Sequence, residues 1–176
     1  MNRKIPCWQL TGFVFTAVVG TLLHFVFDWA GEGALAALFS AVNESVWEHL
    51  KLLVYPMLLF ALAEWFSWGK NKENFWCVKL LGILLGMGII VLVYYTYTGA
   101  LGVKADWFNI TLFFLAAGLA YWVETKLFTR EYACPIPSKW WVLILILLVV
   151  AFFLFTFFPP NIPLFQDPTT GTYGFP

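Results

Sequence analysis

The sequence predicts an all-α, polytopic membrane bundle of five transmembrane helices, with a cytoplasmic N-terminus and an extracytoplasmic C-terminal tail. Three observations predict it. Of 176 residues, 61% are hydrophobic and only 11% charged, and mean hydropathy is +0.80. A soluble domain needs about 25% charged residues to keep its surface wet. Five apolar stretches are each near the roughly 20 residues that cross a hydrocarbon core as helix. Lys and Arg also divide unevenly between the two sets of loops. The same composition excludes other classes. Disorder requires low hydrophobicity. Ten Lys and Arg against ten Asp and Glu leave no net charge, which argues against a nucleic-acid partner and leaves the lipid bilayer as the main one.

The first span covers about 10–30. Its basic start resembles a signal peptide, but its apolar run exceeds the roughly 7–15 residues of such a segment, so it reads as a retained span. Ala17, Gly20, His24, Asp28 and Gly31 fall on one stripe at about 100° per residue. Small residues there let a second helix approach closely, so His24 and Asp28 are expected to face the bundle. At 1.5 Å per residue, His24 would lie about 9 Å inside the span.

The second span covers 46–68 behind a polar turn. Asn43 is a suitable N-cap, which would put Glu44 in the favourable first turn. Glu44, Glu48, Lys51 and Tyr55 then share one stripe, with His49 and Ser45 a quarter turn away. The third span, 76–98, carries a small-residue seam at Gly82 and Gly86 and ends in the hydroxyl-rich Tyr94–Thr98. The fourth, 107–128, lines up Asp106, Asn109, Ala117, Ala120 and Glu124, with Asp106 and Asn109 placed to join the outer polar cluster. The fifth, 140–158, is nearly featureless and reads as lipid contact and packing.

Charge sets the orientation. With the N-terminus in the cytoplasm, Arg3, Lys4, Lys70, Lys72, Lys79, Lys126, Arg130 and Lys139 lie inside and only Lys51 and Lys104 outside, a strong positive-inside bias. Cys7, Cys77 and Cys134 then face the reducing side and are expected to be inert thiols. The tail, 159–176, carries turn signals at Asp167-Pro168 and Thr170-Gly171 but is apolar for a free linker. It is expected to fold back over the outer mouth as a lid, within a single domain spanning 1–176.

The acids also divide. Asp28, Glu32, Glu44, Glu48, Asp106 and Asp167 fall outside with both histidines, while Glu64, Glu73, Glu124 and Glu131 fall inside beside Lys or Arg. Ionisable groups inside a span are costly and favour pairing or a wet cavity. The outer set gives two candidate sites. Asn43, Glu44, Glu48, Lys51, Tyr55, Asp106 and Asn109 would bind a small polar or amphipathic ligand. His24, Asp28, Glu44, Glu48 and His49 would hold a divalent metal such as zinc, which takes about three such ligands and keeps one open position when catalytic.

At NESVWEHLK (43–51) and DPTTGTYG (167–174) the chain resembles an uncharacterised family of small five-span bacterial integral membrane proteins carrying a domain of unknown function. The likeness extends to LLHFVFDWAG (22–31) and covers nearly the whole chain. It implies a bacterial, multi-pass plasma-membrane protein and carries no established activity. Motifs of well-known membrane enzymes (HExxH, GxSxG, HxxxH) are absent from the sequence. Three functions therefore stay open: binding or transport of a small solute or ion, metal-dependent hydrolysis within the membrane, and a structural or partner-binding role without catalysis.

Overall fold

The computed structural model describes residues 4–102 and 105–175. Arg3 and Lys104, both used in the charge count, lie outside the described residues. The chain forms α1 (Lys4–Trp29), a short α2 (Ala34–Ala37), α3 (Val46–Ser67), α4 (Phe75–Leu101), α5 (Asp106–Thr129) and α6 (Ser138–Phe157). Five of these helices are long and apolar enough to cross a membrane, the pattern of a multi-pass membrane protein. In lipid, a helix satisfies its backbone donors and acceptors within its own segment. α1 is already helical at Lys4, the first described residue, which is earlier than apolar content implies. α4 ends at Gly102, which takes the left-handed backbone (φ 66°) that glycine tolerates as a helix terminator.

α1, α3, α4 and α5 pack in a ring, each against the next, and α6 lies outside it against α4. α3 is the most enclosed span. Its Pro56 has no N–H to give the carbonyl of Leu52. That carbonyl oxygen faces Gly20 of α1 so closely that a Cβ at Gly20 would overlap it. The small-residue stripe on α1 thus receives the backbone that proline leaves uncapped. The Gly82 and Gly86 seam likewise receives Glu124 at one position and Leu53 at the other.

The tail packs against the start of α3. Phe165 lies 4.9 Å from Trp47, which also packs on Phe152 at 4.5 Å and Phe155 at 5.6 Å, both of α6. Asn43 Nδ2 donates to the Gly174 carbonyl (2.9 Å), the Glu44 N–H to Asp167 Oδ2 (3.3 Å), and the Phe175 N–H to the Thr156 carbonyl (2.7 Å). The two distinctive motifs, far apart in sequence, are partners.

Three expectations are corrected. Asn43 is not the N-cap of α3. Ser45 is: its side chain accepts the Glu48 N–H, while Asn43 Oδ1 accepts the Ser45 N–H. α6 packs as expected through buried Phe152, but it is not featureless, since buried Thr156 joins Glu48 and Lys51. The cysteines are not three free thiols: Cys77 and Cys134 form a disulfide joining the start of α4 to the loop after α5, and only Cys7 is free and exposed.

Candidate functional site

At the tail end of the bundle, α1 finishes and α3 begins, and a polar group gathers between them. His24 comes from the penultimate turn of α1, Glu44 from the loop before α3 and His49 from the first turn of α3. Their ligand atoms lie within 4.8 Å of one another. His49 Nε2 is 3.4 Å from Glu44 Oε2, and His24 Nε2 is 3.9 Å from Glu44 Oε1. The imidazoles meet edge to face at 5.1 Å, and Phe25 stacks on His24. All three side chains are partly exposed, at 38% for His24, 48% for Glu44 and 31% for His49.

The orientation of His49 is set by its neighbour. Its Nδ1 lies 2.9 Å from the Ser45 carbonyl, which can only accept. Nδ1 therefore carries a proton, and Nε2 is the ring atom facing Glu44. Metal-binding histidines use this second hydrogen bond to fix ring and tautomer. Nε2 is thereby presented toward Glu44 in the manner of a metal-ligating imidazole. Ligands sharing a tetrahedral zinc stand about 3.3 Å apart, given metal–ligand bonds near 2 Å, and the observed spacings are of that order.

The other expected metal residues lie elsewhere. Asp28 is exposed and outside the group. Glu48 is buried and bound to Lys51 at 2.6 Å. Glu48 also accepts the Val42 N–H, and Lys51 donates to the Ala37 carbonyl and to Thr156 Oγ1. Thr156 Oγ1 stands 3.0 Å from Glu48 Oε1. All three ammonium protons of Lys51 thus have acceptors, and the pair is closed to a ligand. Helical-wheel placement put Glu44 and Glu48 together, but Glu44 precedes the N-cap in non-helical backbone, so its side chain reaches His49 instead.

The remaining expected ligand residues are dispersed. Tyr55 is buried against Phe39, Phe152 and Phe153. Asp106 is exposed, and Asn109 accepts the Tyr97 hydroxyl at 2.6 Å. Asn43 holds the tail and the α3 cap. A cavity of about 270 Å³ does open at this end, between the Tyr94, Tyr95 and Thr98 side of α4 and Gln166 to Gly171 of the tail. Asp167 lines it. Burial pushes the Asp167 carboxyl up, but hydrogen bonds from the Thr169 hydroxyl and N–H, the Thr170 N–H and the Glu44 N–H outweigh burial and hold it below the ordinary carboxylate range.

Sequence reasoning missed a second polar cluster at the opposite end. Glu64, Lys79 and Glu124, which charge placed at the inner ends of the spans, are buried together with Gln9. Lys79 pairs with both glutamates, and Gln9 Nε2 donates to Glu64 at 2.7 Å. The signal was available in the spacing. All three charged residues fall inside the helices by more than a turn or near it, and Gly82 leaves room opposite Glu124.

No curated protein and no solved structure matches the chain. The model of a family of unknown function, DUF6512, matches residues 1–175. The chain, nearly its entire length covered, belongs to that family.

Proposed function

We propose that this membrane protein binds a divalent transition-metal ion of the zinc class, with His24, Glu44 and His49 as ligands, at an extracytoplasmic mouth. The observation that carries this reading is the convergence of two imidazoles and a carboxylate within 4.8 Å, with His49 oriented by Ser45. Imidazole and carboxylate suit such ions. Three protein ligands leave a coordination position open to water or a solute. The extracytoplasmic assignment rests on the Lys and Arg bias toward the other end. The tail, tied to Asn43 and Glu44, serves as a lid beside this mouth.

Ion binding or passage fits better than hydrolysis. A metal hydrolase needs a general base near the metal-bound water. Glu48 is committed to Lys51, and Asp28 lies outside the group. Metal analysis of the detergent-purified protein tests the reading. One zinc per chain is expected. His24→Ala or His49→Ala should weaken binding by more than about 100-fold, since even second-shell losses cost roughly 10–100-fold. Equal metal content in wild type and both variants would remove the site.

A further inference from the structure

The four helices of the ring converge on one buried cluster at the end opposite the tail. Glu64 on α3 and Glu124 on α5 both pair with Lys79 on α4. All three are shielded from solvent, Lys79 at 2% exposure and the glutamates at 0%. α1 supplies Gln9, bonded to Glu64, and Thr16, bonded to the Tyr121 hydroxyl at 2.9 Å. The rings of Tyr121, Phe75 and Phe128 stand 5.4–5.8 Å from Lys79 Nζ. Among the described residues, Lys79 is the sole cation paired with either glutamate. Full ionisation would therefore leave one unbalanced negative charge in a dry interior. A buried charge without a partner is strongly disfavoured, and such a group takes a proton instead.

We propose that Glu64, Glu124 and Lys79 form a proton-binding site, in which the two carboxylates hold one proton between them that exchanges with water reaching Gln9. Geometry supports both parts. Gln9 Oε1 and Glu124 Oε1 are buried acceptors without a hydrogen-bond partner. The cluster therefore holds acceptor capacity that no donor fills. Glu124 fills the space that a Cβ on Gly82 would need, so its carboxylate is held against α4. Gln9 and Tyr121 also line a cleft of about 200 Å³ between α1 and α5, with Phe13 and Gly118. The cleft brings Gln9 within reach of a water entering from that side. On uptake, a proton forms an O–H bond with one carboxylate and the cluster becomes neutral. On release, that bond breaks and one negative charge returns. The glutamates lie at the far end from His24, Glu44 and His49, and this site stands whether or not metal binds there.

Infrared spectroscopy of the full-length protein in detergent tests the proposal, with glutamate labelled at its side-chain carboxyl carbon. At neutral pH the wild type should show a protonated-carboxyl band from glutamate that shifts in heavy water. Glu64→Gln or Glu124→Gln alone should abolish the whole band, because the remaining Glu–Lys pair is already neutral. Glu131→Gln, at an exposed position, should leave it intact. Absence of the band in the wild type overturns the proposal, and so does its survival in both glutamine variants. A band that fails to shift in heavy water overturns the exchange of that proton with solvent. Where a variant does not fold, the wild-type band and its heavy-water shift decide.

Discussion

His24, Glu44 and His49 keep 31–48% of their side-chain surface exposed at the tail end, whereas Glu64, Lys79 and Glu124 keep 2% or less at the other. The two groups contain similar chemistry but solve different problems. Where water reaches, ionisable groups need no internal balance, and a gap between acceptors can exchange an ion with solvent. Where water is excluded, charge must be matched by neighbours. Glu48 and Lys51 show what complete matching looks like: one acid, one base, each ammonium proton taken up. Glu64 and Glu124 against Lys79 are matched two to one. That imbalance is why the second cluster is read as a proton site and the first buried pair as a brace.

The largest expected effect comes from removing the shared cation. Lys79→Met leaves two buried carboxylates without their cation and should destabilise the protein by about 3–5 kcal/mol, the range for breaking a buried ion pair. His49→Ala, at the open end, should cost less than about 1 kcal/mol in metal-free protein. Denaturation in detergent measures both. Equal losses would erase the distinction between the two ends.

A smaller effect is expected at the tail. Asp167→Asn removes the charged acceptor that ties Thr169, Thr170 and Glu44 together, and should cost about 1–2 kcal/mol. The sign of its pH dependence follows from the lowered carboxyl. The native value lies below the ordinary 3.8, so the contribution is full above the ordinary carboxylate range. It is lost as pH falls through the native value. The Tm gap between wild type and Asp167→Asn should therefore be widest near neutral pH and narrow as pH falls below 3.8. A gap that widens on acidification would show that the tail is held by other contacts.

Orientation can be sharpened without altering stability. Cys7 is free and exposed at the end that also carries the Cys77–Cys134 disulfide. With a cytoplasmic N-terminus, a membrane-impermeant maleimide should label Cys7 only after cells are permeabilised. Labelling of Cys7 in intact cells would reverse the orientation, leaving His24, Glu44 and His49 facing the cytoplasm and the disulfide in an oxidising compartment.

Much of the fold was legible because lipid imposes a simple length rule. The five apolar runs matched α1 and α3 to α6, with ends displaced where polar residues continue a helix, as Lys4 to Gln9 do. The candidate site was legible in part. His24, Glu44 and His49 belonged to the expected metal set, yet Asp28 and Glu48 did too. Periodicity assumes helical backbone throughout, and it failed at Glu44, one residue before the true cap. The sequence Ser45-Val46-Trp47-Glu48 carried a capping-box pattern that would have placed the start of α3 correctly. Thr156 was hidden because a lone hydroxyl in an apolar helix bonds its own backbone as readily as a distant partner.

Composition, run length and charge bias by themselves determined a membrane protein of five apolar helices, since transfer free energy depends on which residues stand together along the chain. Which ionisable groups became partners was decided only by tertiary structure. Lys79 could have paired with any acid at its end of the bundle. The ring of α1, α3, α4 and α5, and the glycine that lets Glu124 approach, placed it between Glu64 and Glu124. Electrostatic energy depends on distance and on water access, and neither is set until the helices pack.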